Sequence, residues 1–163
     1  MAITDALLQW IVLRVDKQEY ALHIDSIVEV LRMVAVRPLP DTAPWIAGLM
    51  NMRGRGVPVM DLRLRLGMPA RPYALNMIIV VIQVDGRMLG LIVDQAMEFL
   101  SLPPESIRPT EGAGGHSGIV AGIANTGDRL ILILEPRTLL ASETRGLPSL
   151  PHAQPHTQPA GQR

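Results

Sequence analysis

Cysteine is absent from the 163-residue chain, which removes disulfides, thiolate catalysis and thiolate metal sites together. Aromatic side chains are scarce: two Trp, two Tyr and one Phe amount to 3%. The core must therefore be aliphatic, drawn from Leu, Ile, Val and nine Met. Neither sign of charge is in excess, because fifteen basic and fifteen acidic residues cancel. No global field attracts nucleic acid or anionic lipid. Lysine is nearly missing as well; Lys17 stands alone among arginines, a bias that suits a GC-rich genome. Long apolar runs do not occur. The longest, Met77 to Ile82, has six residues against the roughly 18 that suggest a membrane span. The opening MAITDALLQW has Asp5 and no basic segment, unlike a secretory signal, so a soluble cytoplasmic protein is expected.

What is present is 48% apolar and 18% charged residues, enough to build a core in one ordinary domain. Short segments rich in Ile, Val and Leu read as strands. Leu8 to Val15 is the first, with a turn at residues 16–19 and a return strand Tyr20 to Ile24. Met77 to Val84 and Arg87 to Val93 flank Asp85-Gly86, a two-residue hairpin signal because both turn positions need positive φ. Val57 to Asp61 and Leu130 to Glu135 are further strands. Asp25 and Asp94 each end a strand and are expected to cap a helical turn. Leu62 to Gly67 reads as a short helix, with Leu62 and Leu66 at i,i+4 spacing and Gly67 as the stop.

A repeat runs through the chain. Residues 15–31 align with 84–100 at an offset of 69, with six identities that include Asp25/Asp94 and Glu29/Glu98. Residues 47–66 align with 121–140 at an offset of 74, again with six identities, among them Gly48/Gly122, Asn51/Asn125 and Arg55/Arg129. The domain is expected over residues 1–142, as two copies of one β-rich unit at about 8–68 and 77–141. Units of this size manage their sheet edges best as small closed barrels. A Gly-rich stretch at 112–118 reads as flexible, and the Pro- and Gln-rich tail 143–163 as disordered.

Catalytic chemistry finds little support. His152 and His156 lie in the tail with Pro155 between them, and His116 lies in the Gly-rich loop. His23 falls on the solvent phase of its strand, without an evident partner. No nucleophile elbow, phosphate loop or zinc-binding helix motif appears. Glu29 and Glu98 occupy equivalent repeat positions and are expected to serve in structural ion pairs, not as an acid/base pair. Five arginines at 53, 55, 63, 65 and 71 make a local basic strip, but without neighbouring aromatics it is a poor single-strand nucleic-acid site. The segment 44–56 mixes Trp45, Met50, Met52 and Arg53 with glycines. These residues either fill the core or face a partner, and composition leaves both open.

The sequence resembles the CheW family of chemotaxis coupling proteins. The resemblance spans residues 8–141 and rests on Tyr20-Ala21-Leu22, Ile24, Ile27-Val28-Glu29-Val30, Pro38 and Pro40, Gly48-Leu49, Asn51, Arg53-Gly54, Val57-Pro58-Val59, Asp61-Leu62-Arg63, Gly90 to Asp94, Gly122 and Asp128 to Leu134. It implies an all-β fold of two intertwined five-stranded SH3-like barrels with short helices. It further implies no enzymatic activity, no cofactor and no metal. The partners it implies are the regulatory domain of a CheA-type histidine kinase and the cytoplasmic tip of a methyl-accepting chemoreceptor, within membrane-associated arrays and without membrane insertion. Ile24, Ile27, Val28, Glu29, Gly48, Asn51, Arg53 and Gly54 are the partner-binding positions it implies, with Arg53 paired to Glu29. Where family members commonly carry apolar residues after N-x-R-G, this chain has Arg55-Gly56. A related coupler of pilus motility or surface sensing is the alternative, and a nucleic-acid-binding small barrel a more distant one.

Overall fold

Tight turns set the strand boundaries. At Asp85-Gly86 both residues have positive φ, 51° and 77°, and this closes the hairpin of β6 (Ile78–Val84) and β7 (Arg87–Val93). The first hairpin is tighter than the sequence suggests. Asp16 takes φ 56° in a two-residue turn, so β1 (Leu8–Val15) is followed by β2 at Gln18–His23. The Asp16 N–H donates to the Asp94 carboxylate, which keeps this left-handed residue in place. Asp94 therefore holds a turn and caps no helix. Asp25 lies inside a 3-10 turn, Ile24–Ser26, whose cap is His23.

The structure is a computed structural model that describes residues 8–110 and 118–143. Residues 1–7, residues 111–117 with His116 and all of the Gly-rich stretch but Gly118, and the tail 144–163 with His152 and His156 lie outside the described residues. The remaining elements are β3 (Ile27–Arg32), β4 (Ile46–Met52), β5 (Arg55–Asp61), α1 (Leu62–Arg65), β8 (Gln95–Leu102), β9 (Ile107–Pro109), β10 (Val120–Thr126), β11 (Arg129–Leu134) and α2 (Pro136–Glu143).

The strands form two sheets, ordered β8-β1-β2-β11-β10-β9 and β3-β6-β7-β5-β4. Each sheet takes one hairpin from the other half of the chain. β1–β2 joins β8–β11 by the parallel pairing of β2 with β11, and β6–β7 joins β3–β5 by the parallel pairing of β7 with β5. The two barrels are intertwined in this sense. The six-stranded sheet owes its extra member to the three-residue β9. Curling follows from chain length. Edge strands of a flat six-stranded sheet would lie about 24 Å apart. The four residues between β8 and β9 span at most ~17 Å even when extended, so the sheet must bend until its edges approach.

Three apolar cores result. Trp10, Val12, Ala21, Leu102, Ala124, Ile131 and Ile133 fill one barrel, and Met50, Met52, Val57, Val59, Met77, Ile79, Val81 and Ile92 fill the other. Met50 and Met52 are thus core residues. The largest core lies between the sheets, where Ile11, Leu13, Val15 and Leu22 from one meet Met60, Val80, Ile82, Leu89, Leu91 and Val93 from the other. Strand alternation explains the division: odd and even positions of β1 and β6 serve different cores.

At the end of β5 a charged group is taken into this apolar frame. Asp61 and Arg63 are 1% and 5% exposed. The Asp61 carboxylate caps α1 by accepting from the Arg63 backbone N–H at 3.0 Å, and it receives Nε and Nη2 of the Arg63 side chain at 3.2 and 3.1 Å. Arg63 Nη2 also donates to the Arg71 carbonyl at 3.1 Å. Burial is the largest influence on Arg63 and works to lower its pKa, but the hydrogen bonding to Asp61 together with the charges of Asp61, Asp94 and Tyr73 raises it on balance. Gly67, φ 82°, stops the helix as its sequence suggests.

Both tyrosines stay protonated above their ordinary range. Burial, then the nearby Asp61 charge and a hydrogen bond to it, pushes Tyr73 up to about 12. Burial, then Asp16, raises Tyr20. A raised folded pKa means that the stabilisation is complete below the unfolded value of about 10 and is lost as pH rises through the folded values. Phenolate absorbance is therefore expected to rise at higher pH in the native protein than in urea. Coincident curves would contradict these environments.

Candidate partner-binding site

The N-x-R-G segment is the turn between β4 and β5. Arg53 and Gly54 both take positive φ, 52° and 80°, and the Asn51 side chain accepts the Gly54 N–H at 2.8 Å. Each residue type has a local reason: Asn51 ties the turn, Gly54 supplies left-handed backbone, and Arg53 is aimed outward. Its guanidinium, with the side chain 75% exposed, lies 3.2 Å from Glu29 on β3. Since β3 and β4 are the two edges of their sheet, the Arg53–Glu29 pair spans the seam where this barrel closes. Arg55 opens β5 and Gly56 pairs with Asn51, so the Arg55-Gly56 departure leaves the strand intact.

Glu29 and Glu98 each sit in a structural ion pair, as expected from the sequence. Glu98 meets Arg129, which also reaches Glu19 at 3.0 Å. Duplication placed the two carboxylates in equivalent positions, and each then found an arginine of its own barrel. Gly48 is buried in β4 against the backbone of Arg37 and Pro38. His23 has partners that the strand phase concealed. Its ring meets Trp10 edge-on at 5.1 Å, and its Nδ1 accepts the Asp25 N–H at 3.2 Å.

The three apolar positions line the start of β3. Ile24 and Val28 are exposed, and Ile27 is half-buried against the inter-sheet core. Val28 is a bulge residue: the β3–β6 register slips between Ile27 and Glu29. The same slip recurs on β8 against β1 between Ala96 and Glu98, with Met97 as the extra residue. Two residues on stand Val30 and Phe99, the latter 67% exposed. Val30 lies opposite Val80 and Phe99 opposite Ile11, both members of the inter-sheet core. Each sheet therefore carries that core outward onto its edge strand as an apolar rim, Val28–Val30 on one and Met97–Phe99 on the other. Edge strands that end in apolar side chains instead of charges suit a partner surface. The repeat held the signal for the second rim, since its offset of 69 maps Val28 and Val30 onto Met97 and Phe99.

The arginine strip does not persist as a strip. Arg63 is buried with Asp61, Arg65 stacks over Trp45 at 5.0 Å, Arg71 lies 3.4 Å from Asp16, and Arg53 pairs with Glu29. A cavity of about 270 Å³ among Arg14, Asp16, Arg63, Arg71 and Asp94 mixes both signs. Among the described residues there is no group of three or more His, Asp or Glu able to hold a metal ion. Nor is any helix among them long and apolar enough to cross a membrane.

Comparison with known proteins agrees with this geometry. The family model of the CheW-like domain matches residues 9–144. A probable chemotaxis protein CheW of Rhizobium etli is 34% identical over 137 residues, covering 82% of this chain and 87% of that protein. The chemotaxis protein CheW of Rhizobium meliloti is 29% identical over 137 residues, covering 83% and 88%. Among solved structures, the scaffolding protein TtCheW of Thermoanaerobacter tengcongensis superposes with a TM-score of 0.75 at 31% identity, covering 79% of this chain and 89% of its own.

Proposed function

The chain belongs to the CheW-like domain family and serves as a chemotaxis coupling scaffold, and we propose that it joins the cytoplasmic tip of a chemoreceptor to the regulatory domain of a CheA-type histidine kinase without catalysing a reaction. The observation that carries this reading is the pair of repeat-related apolar rims on edge strands, Val28–Val30 and Met97–Phe99, one on each sheet. Two like surfaces on one rigid body let a scaffold hold two neighbours, and repetition in an array multiplies modest affinities. Ile24, Ile27 and Val28 supply apolar contact on the first rim, and the Arg53–Glu29 pair beside Asn51 and Gly54 supplies orientation. Gly48 acts beneath them by fixing the strand that carries the turn.

Calorimetric titration with the regulatory domains of the CheA-type kinases from the same genome tests the reading first. Micromolar or tighter binding to one of them is expected; a folded protein that binds none refutes it. Arg53→Glu puts two carboxylates together at an exposed position. It is expected to leave the melting temperature almost unchanged while lowering receptor control of kinase activity in a reconstituted assay. Undiminished control would remove Arg53 from the signalling surface.

A further inference from the structure

The two barrels close differently. In the six-stranded sheet, β9 pairs with β10 at three successive positions, Pro109 with Gly122, Arg108 with Ile123 and Ile107 with Ala124. In the five-stranded sheet the corresponding closure is a single bridge. Arg37 N–H donates to Leu49 at 2.7 Å and Leu49 N–H to Arg37 at 2.8 Å. Just upstream, Met33 is still bound to Met77, so the intervening residues cross from β6 to β4 and leave the seam open. A groove of about 670 Å³ fills the gap, with Ala35 and Arg37 on one wall and Leu49, Asn51, Gly54 and Gly56 on the other.

The groove has the chemistry of a strand's edge. Both backbone groups of Leu49 face the seam, where Arg37 takes them, so alternation points the Asn51 N–H and C=O the same way two residues on. Neither has a backbone partner among the described residues. Pro58 agrees with this phase, since it sits opposite Leu49 at a position that needs no N–H toward β4. At Gly54 and Gly56 the far wall carries no side chain. A Cβ on Gly54 would meet nothing within 4 Å, and one on Gly56 only Leu49 Cδ1 at 3.9 Å. Arg37 is the one charged residue lining the groove, and Arg53 and Arg55 flank Gly54. Neither Arg37 nor Arg55 has an ion pair among the described residues.

We propose that this open seam is a docking slot for an extended acidic peptide segment of another protein, which adds as a strand to the Asn51 edge of β4 and places its carboxylates against Arg37 and Arg55. The mode is strand addition, with backbone bonds for affinity and the glycine wall leaving room for side chains. A single register position supplies few bonds, so a free peptide binds weakly and a tethered one gains by effective concentration. The slot is separate from the apolar rims, although it shares Asn51 and Gly54 with the turn assigned to coupling, and peptide binding in it does not depend on the coupling role.

The test uses the full-length ¹⁵N-labelled chain and a capped hexapeptide of alternating Glu and Val, with its Lys and Val counterpart as control. The acidic peptide is expected to shift the amides of residues 35–37, 49–51 and 54–56 and to slow exchange of the Asn51 N–H. Gly56→Leu, which fills the slot from one wall, is expected to weaken binding at least ~10-fold, or about 1.4 kcal/mol. Ala35→Leu, at an exposed position on the other wall, provides the same block if Gly56→Leu perturbs the strand. The proposal is overturned if the acidic peptide leaves these amides unmoved, if the basic peptide binds as well, or if a folded slot-filling variant binds undiminished.

Discussion

Gly48→Ala is expected to destabilise the protein by about 3–5 kcal/mol, the range of a backbone clash added to a strained φ. Gly48 has φ 146°, and a Cβ there would lie 2.0 Å from the Arg37 carbonyl oxygen and 2.9 Å from the Pro38 Cα. The obstacle is backbone on both counts, so no rotamer change relieves it. Relief requires moving Arg37 off Leu49 and thus breaking the bridge that closes this barrel. For a domain of this size the fall in melting temperature is of order 10–20 °C. Gly56→Ala provides the contrast, since its Cβ would meet a flexible Leu49 methyl at 3.9 Å, and it is expected to stay within ~1 kcal/mol of wild type. Equal melting temperatures for the two variants would show that the seam is not held as described.

Arg63→Ala has an expected cost of similar size for a different reason. It deprives Asp61, 1% exposed, of both Arg63 side-chain bonds to its carboxylate and leaves it the capping Arg63 N–H and the Tyr73 hydroxyl as donors. Breaking a buried pair by deleting one partner costs about 3–5 kcal/mol. The double variant Asp61→Asn, Arg63→Met removes both charges, and its cost is expected to be at least ~1 kcal/mol smaller than that of Arg63→Ala. Additivity of the separate losses would argue against a coupled pair. Chemical denaturation of Arg63→Ala, of the double variant and of its two component single variants, Asp61→Asn and Arg63→Met, measures this directly.

Much of this frame is legible in the sequence because its causes are local. Leu8–Val15 and Arg87–Val93 are strands by apolar pattern, and Asp85-Gly86 turns because two positive φ angles are needed there. Leu62 opens and Gly67 stops a short helix, of which four residues are helical. What escapes the sequence depends on partners far along the chain. Asp94 reads as a helix cap, but its carboxylate serves the Asp16 turn, 78 positions away. His23 reads as solvent-facing because strand phase cannot reveal Trp10 beside it. Arg63 reads as one of a surface strip, since composition gives no hint that Asp61 will follow it into the interior. At the candidate site, the resemblance named the first rim and the Arg53–Glu29 contact. Met97 and Phe99 were visible only by carrying Val28 and Val30 across the repeat, because an exposed Phe looks like core material until its edge position is known.

The exchange of hairpins also decides the order in which a growing chain can organise itself. All strands of the five-stranded sheet lie between Ile27 and Val93, a continuous stretch, whereas the six-stranded sheet needs both Leu8 and Leu134. During synthesis the inner sheet can therefore pair as soon as β7 leaves the ribosome. The β1–β2 hairpin, already made, must wait for some forty further residues before β11 arrives beside it. In that interval the finished inner sheet already offers Val80 and Leu91, the core neighbours that Ile11, Leu13 and Val15 of β1 have in the folded protein. The core between the sheets is thus a waiting room for the N-terminus, and the first hairpin to be translated is among the last to gain its strand partners.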